Sequence, residues 1–276
     1  MTRDDHVLLL TRVVAALIIP ILILAVLALY LNPGQTAQNF AWTIRPRMTA
    51  MAMGAGYLMG AYFFVRVLTT SRWHRVAAGF LPITAFTTAM ALATILHLDR
   101  FHNGQWNAIL WEVLYAITPV VILFTWLLNR RTDPGTPEAN DATVPRFTRR
   151  AVAVMGTVAL LSALILFVQP QFAIRIWPWS LTPLTARVFA GWLLLPGIAG
   201  IYLCRECRWS GWRIPLESVT VANVFILIAT VIAWNDWRPS NPLTLLFIAG
   251  IVGALLLLPT LYLFFERRTV TTVVRD

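Results

Sequence analysis

The run VVAALIIPILILAVLALYL, residues 13–31, carries no charged side chain. At about 1.5 Å per residue, a helix of that length crosses a hydrocarbon core of about 30 Å. A backbone placed there must satisfy its own hydrogen bonds, which leaves helices or closed barrels. A second run, LTLLFIAGIVGALLLLPTLYLFF, occupies residues 243–265. The chain therefore reads as an all-α integral membrane protein. Composition agrees: 58% of residues are hydrophobic and 12% charged, against about 25% charged in soluble domains. The first run has no small-residue cleavage site after a short apolar core, so it is expected to be a span and not a signal peptide. Eight spans are expected, at about 13–31, 48–67, 76–96, 106–128, 151–168, 186–204, 214–234 and 243–265.

The net charge is +10, and all 22 basic residues are arginines. They are unevenly shared between the two sets of loops. Arg45, Arg47, Arg100, Arg175, Arg187 and Arg238 fall on one side, and the rest belong to the termini and the even loops. Arginines grouped between apolar runs set topology and do not form a phosphate-binding face, so no nucleic acid is expected as a partner. The positive-inside rule places both termini and the 130–150 linker in the cytoplasm of a multi-pass cell (inner) membrane protein. That linker, RRTDPGTPEANDATVPRFTRR, is polar and rich in Pro and Thr. Its composition cannot build a core, and it is expected to be a mobile tether.

The chain repeats itself. FAWTIRPRMTAM (40–51) and IWPWSLTPLTAR (176–187) align Trp42 with Trp179 and Pro46 with Pro183 at a spacing of 137 residues. The same spacing relates Thr11-Arg12 to Thr148-Arg149, Pro33 to Pro170, Gly54 to Gly191, Gly60 to Gly197, Asp99 to Asp236, and Arg130-Arg131 to Arg267-Arg268. A tandem duplication of a four-helix unit follows: residues 1–131, a linker at 132–147, and residues 148–276. Four spans is an even number, so the two copies are expected to run parallel about a pseudo-twofold axis along the membrane normal, unlike inverted repeats.

Within this frame, Pro46 and Pro183 suit the first turn of spans two and six, and Thr182 suits a cap. Trp42, Trp177 and Trp179 suit the water–lipid boundary. A sharper expectation is an outer anion or headgroup site, in which the two helix starts and Arg45, Arg47 and Arg187 act together with Trp42, Trp179 and Thr182. Thr84, Thr87 and Thr94 in span three, and Thr220, Asn223 and Thr230 in span seven, each lie at i, i+3, i+10 on one helix face. With Glu112 they are candidates to line a polar cavity between the repeats; packing between helices is the alternative. Asp99 and Asp236 are candidate outer carboxylates for cation binding, proton coupling or bracing of loops.

His97 and His102 flank Asp99 at i, i+5, a poor spacing for one helix face, and no metal or cofactor is expected. His6 and His74 show no constellation. Cys204 and Cys207 form a C-x-x-C without a thioredoxin-like or zinc context, so free thiols are expected. The sequence shows no nucleophile–base pattern, P-loop or H-E-x-x-H motif, and it is not expected to be an enzyme. Gly56 and Gly60, with Ala50 and Gly54, suit close helix packing, and Pro20, Pro119, Pro196 and Pro259 interrupt spans. Two functions stay open. One is a small-molecule or lipid transporter with its site between the repeats. The other is a non-catalytic membrane sensor, or an accessory subunit bound to a partner membrane protein.

Overall fold

The computed structural model describes residues 3–273. Eight of its helices are long and apolar enough to cross a membrane. They are α1 (Leu9–Val26, continued by a π-turn to Leu31), α2 (Arg47–Thr69), α3 (His74–Leu96), α4 (Trp106–Asn129), α5 (Arg146–Val168), α6 (Pro183–Leu203), α7 (Ser210–Ile232) and α8 (Pro242–Val273). This is a multi-pass, all-helical membrane protein. Short helices at Thr36–Asn39 and Pro170–Ile176 precede α2 and α6, and 3-10 turns at Leu98–Arg100 and Trp234–Asp236 close α3 and α7. The termini of α1, α4, α5 and α8 that lead to the linker or the chain ends lie on one side, here the linker face.

Within each half, α1 lies on α2 and α3 on α4, while α5 lies on α6 and α7 on α8. Between the halves, α2 packs on α7, and α3 packs on both α6 and α7. The inner helices are α2, α3, α6 and α7; the apolar stretch of α2 is 61% buried, that of α8 only 11%. Small residues set the close crossings. A Cβ on Gly200 would stand 2.7 Å from the Val152 carbonyl oxygen, and one on Gly54 2.7 Å from the Tyr30 Cβ. Neither backbone could approach so closely around a larger side chain. Between the halves, Trp192 of α6 lies over Gly56 and packs edge-on against Tyr57 and tilted against Phe86.

Two expectations are corrected. Trp42 and Trp179 do not sit at a lipid boundary: they are 3% and 0% exposed. Trp42 packs with Phe40, Phe101 and Trp111, and Trp179 with Trp177, Phe189, Trp237 and Phe247. An amphipathic ring can use its apolar face in a cluster as well as in a belt, and here the neighbouring rings take it. The linker is not a free tether either. Its Val144 is buried and donates its N–H to the Cys207 carbonyl at 2.8 Å, and Asp133, Glu138 and Asp141 are held by Arg208, Arg75 and Ser210. The carboxylates at 133, 138 and 141 give this segment anchor points that composition alone does not express.

Candidate functional site

The linker face holds a clasp built twice. In the first half, the extended segment before α1 pairs with the α2–α3 loop through a bridge between His6 and Arg72. The Asp5 carbonyl accepts the Trp73 N–H at 2.7 Å, and the Asp5 carboxylate accepts the His74 N–H at 3.0 Å. In the second half, the end of the linker pairs with the α6–α7 loop through Thr143 and Arg208. The Ala142 carbonyl accepts the Trp209 N–H at 2.9 Å, and the Asp141 carboxylate accepts the Ser210 N–H at 3.0 Å. Each aspartate supplies an acceptor to the first amide of an inner helix, where the orphan donors and the helix dipole favour a negative charge.

The two clasps touch. His74 Nδ1 stands 2.5 Å from Asp5 Oδ2, and His74 Nε2 stands 2.8 Å from Ser210 Oγ. The Ser210 hydroxyl donates to Asp141 Oδ2 at 2.5 Å, and Glu138 Oε1 lies 3.1 Å from His74 Nε2. His74, Ser210 and Asp5 are each 3% exposed or less. The order Asp5–His74–Ser210 is that of a Ser–His–Asp triad, but the Ser210 hydroxyl donates to Asp141 and not to His74, and the group is enclosed. As built, the hydrogen bonds hold four chain segments together.

Guanidinium groups complete the clasp. Arg75 grips Glu138 with two bonds of 2.6 and 2.5 Å, and Arg208 grips both Asp133 and Glu206. Burial pushes the Asp133 carboxyl up, but the Arg208 hydrogen bonds, the Gly135 N–H and the guanidinium charge outweigh it and leave it below the usual range. Glu138 is depressed in the same way, with Arg75 overcoming its burial. Burial lowers the Arg208 value, and its bonds to Glu206 and Asp133 more than reverse that, so its net shift is upward. Beside this network, Arg66 of α2 and Glu217 of α7 form a 2.5 Å ion pair between the halves. The Tyr62 and Tyr262 hydroxyls also donate to Glu217, at 2.8 and 3.0 Å.

The residues singled out in the sequence are placed differently. Thr84, Thr87, Thr220 and Thr230 each donate to a carbonyl four residues back in their own helix, as does the Asn223 amide. Thr94 does the same and accepts the Trp111 Nε1–H at 2.8 Å. Thr94 still reaches α4 through its acceptor, whereas the hydroxyl protons of the others are spent within their own helices. Glu112 is half-buried on α4. Asp99 pairs with Arg100 at the surface, 3.0 Å apart. Asp236 instead crosses to the other half, where its Oδ2 accepts the Met48 N–H at 2.8 Å and caps α2.

The start of α6 is closed by a capping box between Thr182 and Thr185. Both helix starts considered for an anion are thus occupied by the chain's own groups. Arg45 and Arg47 are exposed at the rim of a surface cleft of about 420 Å³ that also reaches Asp236. Arg187 points elsewhere: its Nε donates to the Phe167 carbonyl at 3.2 Å and its Nη1 to His97 Nε2 at 2.6 Å. Burial first, and the Arg187 charge second, hold His97 below its ordinary value. Trp179 donates its Nε1–H to Thr49 Oγ1 of the other half at 3.0 Å. Cys204 and Cys207 are free thiols, and no His, Cys, Asp and Glu group suited to a metal occurs among the described residues.

His74 and Ser210 were missed because their partners lie 69 and 136 residues away. A signal existed: Asp5 with Asp141, and His74 with Ser210, share a spacing of 136. Glu217 was open to the rule that picked Glu112, an acid inside an apolar span. No family model, no curated protein and no solved structure matches this chain.

Proposed function

We propose that the chain is a parallel tandem duplicate of a four-helix unit, lying in the cell (inner) membrane with both termini and the linker cytoplasmic. We further propose that it works as a non-catalytic membrane sensor or accessory subunit whose moving part is the linker. The repeat is supported by the spacing of 137 and by helix pairings that exchange when the halves are swapped: α1–α2 with α5–α6, α3–α4 with α7–α8, and α2–α7 with α6–α3. The arginine bias supports the orientation.

One observation carries the sensor reading. The N-terminal segment and the linker interlock across the two halves: the Asp5 N–H donates to the Thr132 carbonyl, Glu138 of the linker holds Arg75 and faces His74, and His74 meets Ser210, which donates to Asp141. Loosening either segment removes a partner from the other, which is the coupling a sensor needs between a membrane-embedded core and an output element. Transport has less support: Trp192 packs between the halves against Tyr57 and Phe86, and the stripes donate within their own helices, with Thr94 also accepting from the buried Trp111 indole.

The test is amide hydrogen exchange on the protein in nanodiscs. Asp141→Ala is expected to speed exchange across 138–144 and at the start of α7, and also across 4–7 in the other half. Fast exchange confined to the second half would reduce the clasp to two independent braces and remove the sensor reading.

A further inference from the structure

The first half contains a slot that faces lipid. Helices α1 and α4 meet near the linker face, where Thr11 donates to Asn129 Oδ1 at 2.6 Å. Toward the opposite face they part, and the gap is walled by Ala25 and Ala28 of α1 and by Leu110 and Leu114 of α4, with Tyr57 of α2 at its floor. Its volume is about 70 Å³, room for a file of about five water- or methylene-sized groups. A helix, about 10–12 Å across with its side chains, does not enter such a slot.

One end of the slot is polar. Asn39 lines it, and its Oδ1 is buried with no hydrogen-bond partner. Asn107, beside it, is buried and spends its own oxygen on the Ala108 N–H at 2.8 Å. Trp106, 65% exposed, stands at the same rim, where an indole marks the headgroup level. A buried acceptor without a donor costs free energy, and a wet rim above an apolar slot invites a molecule that can donate to it. On the tandem reading above, at the spacing of 137 the second half has Ile176 where the first has Asn39, and Thr244, whose hydroxyl is spent on the Arg238 carbonyl, where the first has Asn107. The unpartnered acceptor at Asn39 therefore belongs to one half; the slot itself does not depend on that reading.

We propose that this slot holds one acyl chain of a membrane lipid whose headgroup donates a hydrogen bond to Asn39 Oδ1. The narrow apolar walls select a single chain, and the lone acceptor selects a headgroup with N–H or O–H, such as an ethanolamine or a glycerol, over a quaternary amine. The occupant enters sideways from the bilayer and needs no path through the bundle.

The full-length protein is exchanged against an equimolar mixture of phosphatidylethanolamine, phosphatidylglycerol and phosphatidylcholine with identical acyl chains, and the retained lipid is identified by native mass spectrometry. The expected result is one retained lipid, with either donor headgroup favoured over phosphatidylcholine by about fivefold, the weight of one such hydrogen bond. Asn39→Leu is expected to abolish that preference, and Ala25→Trp to displace the lipid itself. Equal retention of phosphatidylcholine, a preference that survives Asn39→Leu, retention that survives Ala25→Trp in a folded protein, or a lipid-free dimer would each overturn the assignment. Asn39 lies outside the spans, so its variant decides the matter even if Ala25→Trp does not fold.

Discussion

The two faces of this bundle solve one problem with different chemistry. Each must tie a segment that precedes a helix to the loop that precedes a neighbouring one. On the linker face the ties are carboxylates: Asp5, Asp133, Glu138 and Asp141 meet backbone amides, His74, Arg75, Arg208 and Ser210. On the opposite face they are rings: Trp42 against Phe101 and Trp111, and Trp179 against Trp237 and Phe247. The peptide bonds beneath are alike, since His102 N–H donates to the Ala41 carbonyl and Arg238 N–H to that of Pro178. Ionic ties can be released by protons or salt; aromatic ones cannot. A reversible element is therefore better built on the first face, and that is where the linker docks.

The comparison can be broken in order of expected size. Trp179→Ala removes a fully buried ring and the partner of Thr49, and should lower stability by about 3–5 kcal/mol, read as a thermal shift in detergent that is insensitive to salt. Arg208→Ala leaves Asp133 and Glu206 facing each other without their cation, and should cost about 3 kcal/mol. Because the remaining charges are alike, its deficit should shrink as salt rises, the opposite of an uncharged site. If the two variants respond alike to salt, the contrast between the faces fails.

Acid should separate the faces as well. Asp133 and Glu138 have folded values below their unfolded ones of 3.8 and 4.5. Their contribution is complete above those unfolded values and is lost as pH falls through the lower, folded ones. Proteolysis of the linker should therefore accelerate only below about pH 4.5. His97, on the opposite face, is also depressed, from 6.5. Its neutral ring accepts from Arg187, so its contribution is full above 6.5 and declines as pH falls below it. Release of the Arg187–His97 contact, read from the His97 ring by NMR, should then come at higher pH than linker cleavage, while the tryptophan rings of that face hold. The smallest effect is expected for Thr182→Ala, which removes one cap of α6 and should cost about 1 kcal/mol with no effect on the linker.

The helices were readable because a twenty-residue apolar run has few other uses. The loops were harder to read. Trp42 has the same composition signature at a lipid boundary and inside a cluster, and only its neighbours decide between them. The threonine stripes on α3 and α7 have the spacing of a shared face, yet their hydroxyl protons are spent on their own helices, and Thr94 reaches α4 only as an acceptor for the Trp111 indole. His74 looked idle because its partners, Asp5 and Ser210, come from two distant segments. The shared spacing of 136 was the available clue, and it needed a reading of aligned pairs of unlike residues.

The bond from Asp236 to the Met48 amide spans 188 residues. Ribosomes add about 5–20 residues per second, so α2 is made about 10–40 seconds before its cap exists. During that interval the early part of the polypeptide waits with an open donor, and His74 waits for Ser210. Biogenesis of this protein therefore has an order of events: the amino-terminal portion matures only when the carboxy-terminal portion reaches it, and a truncated translation product is left recognisably unfinished.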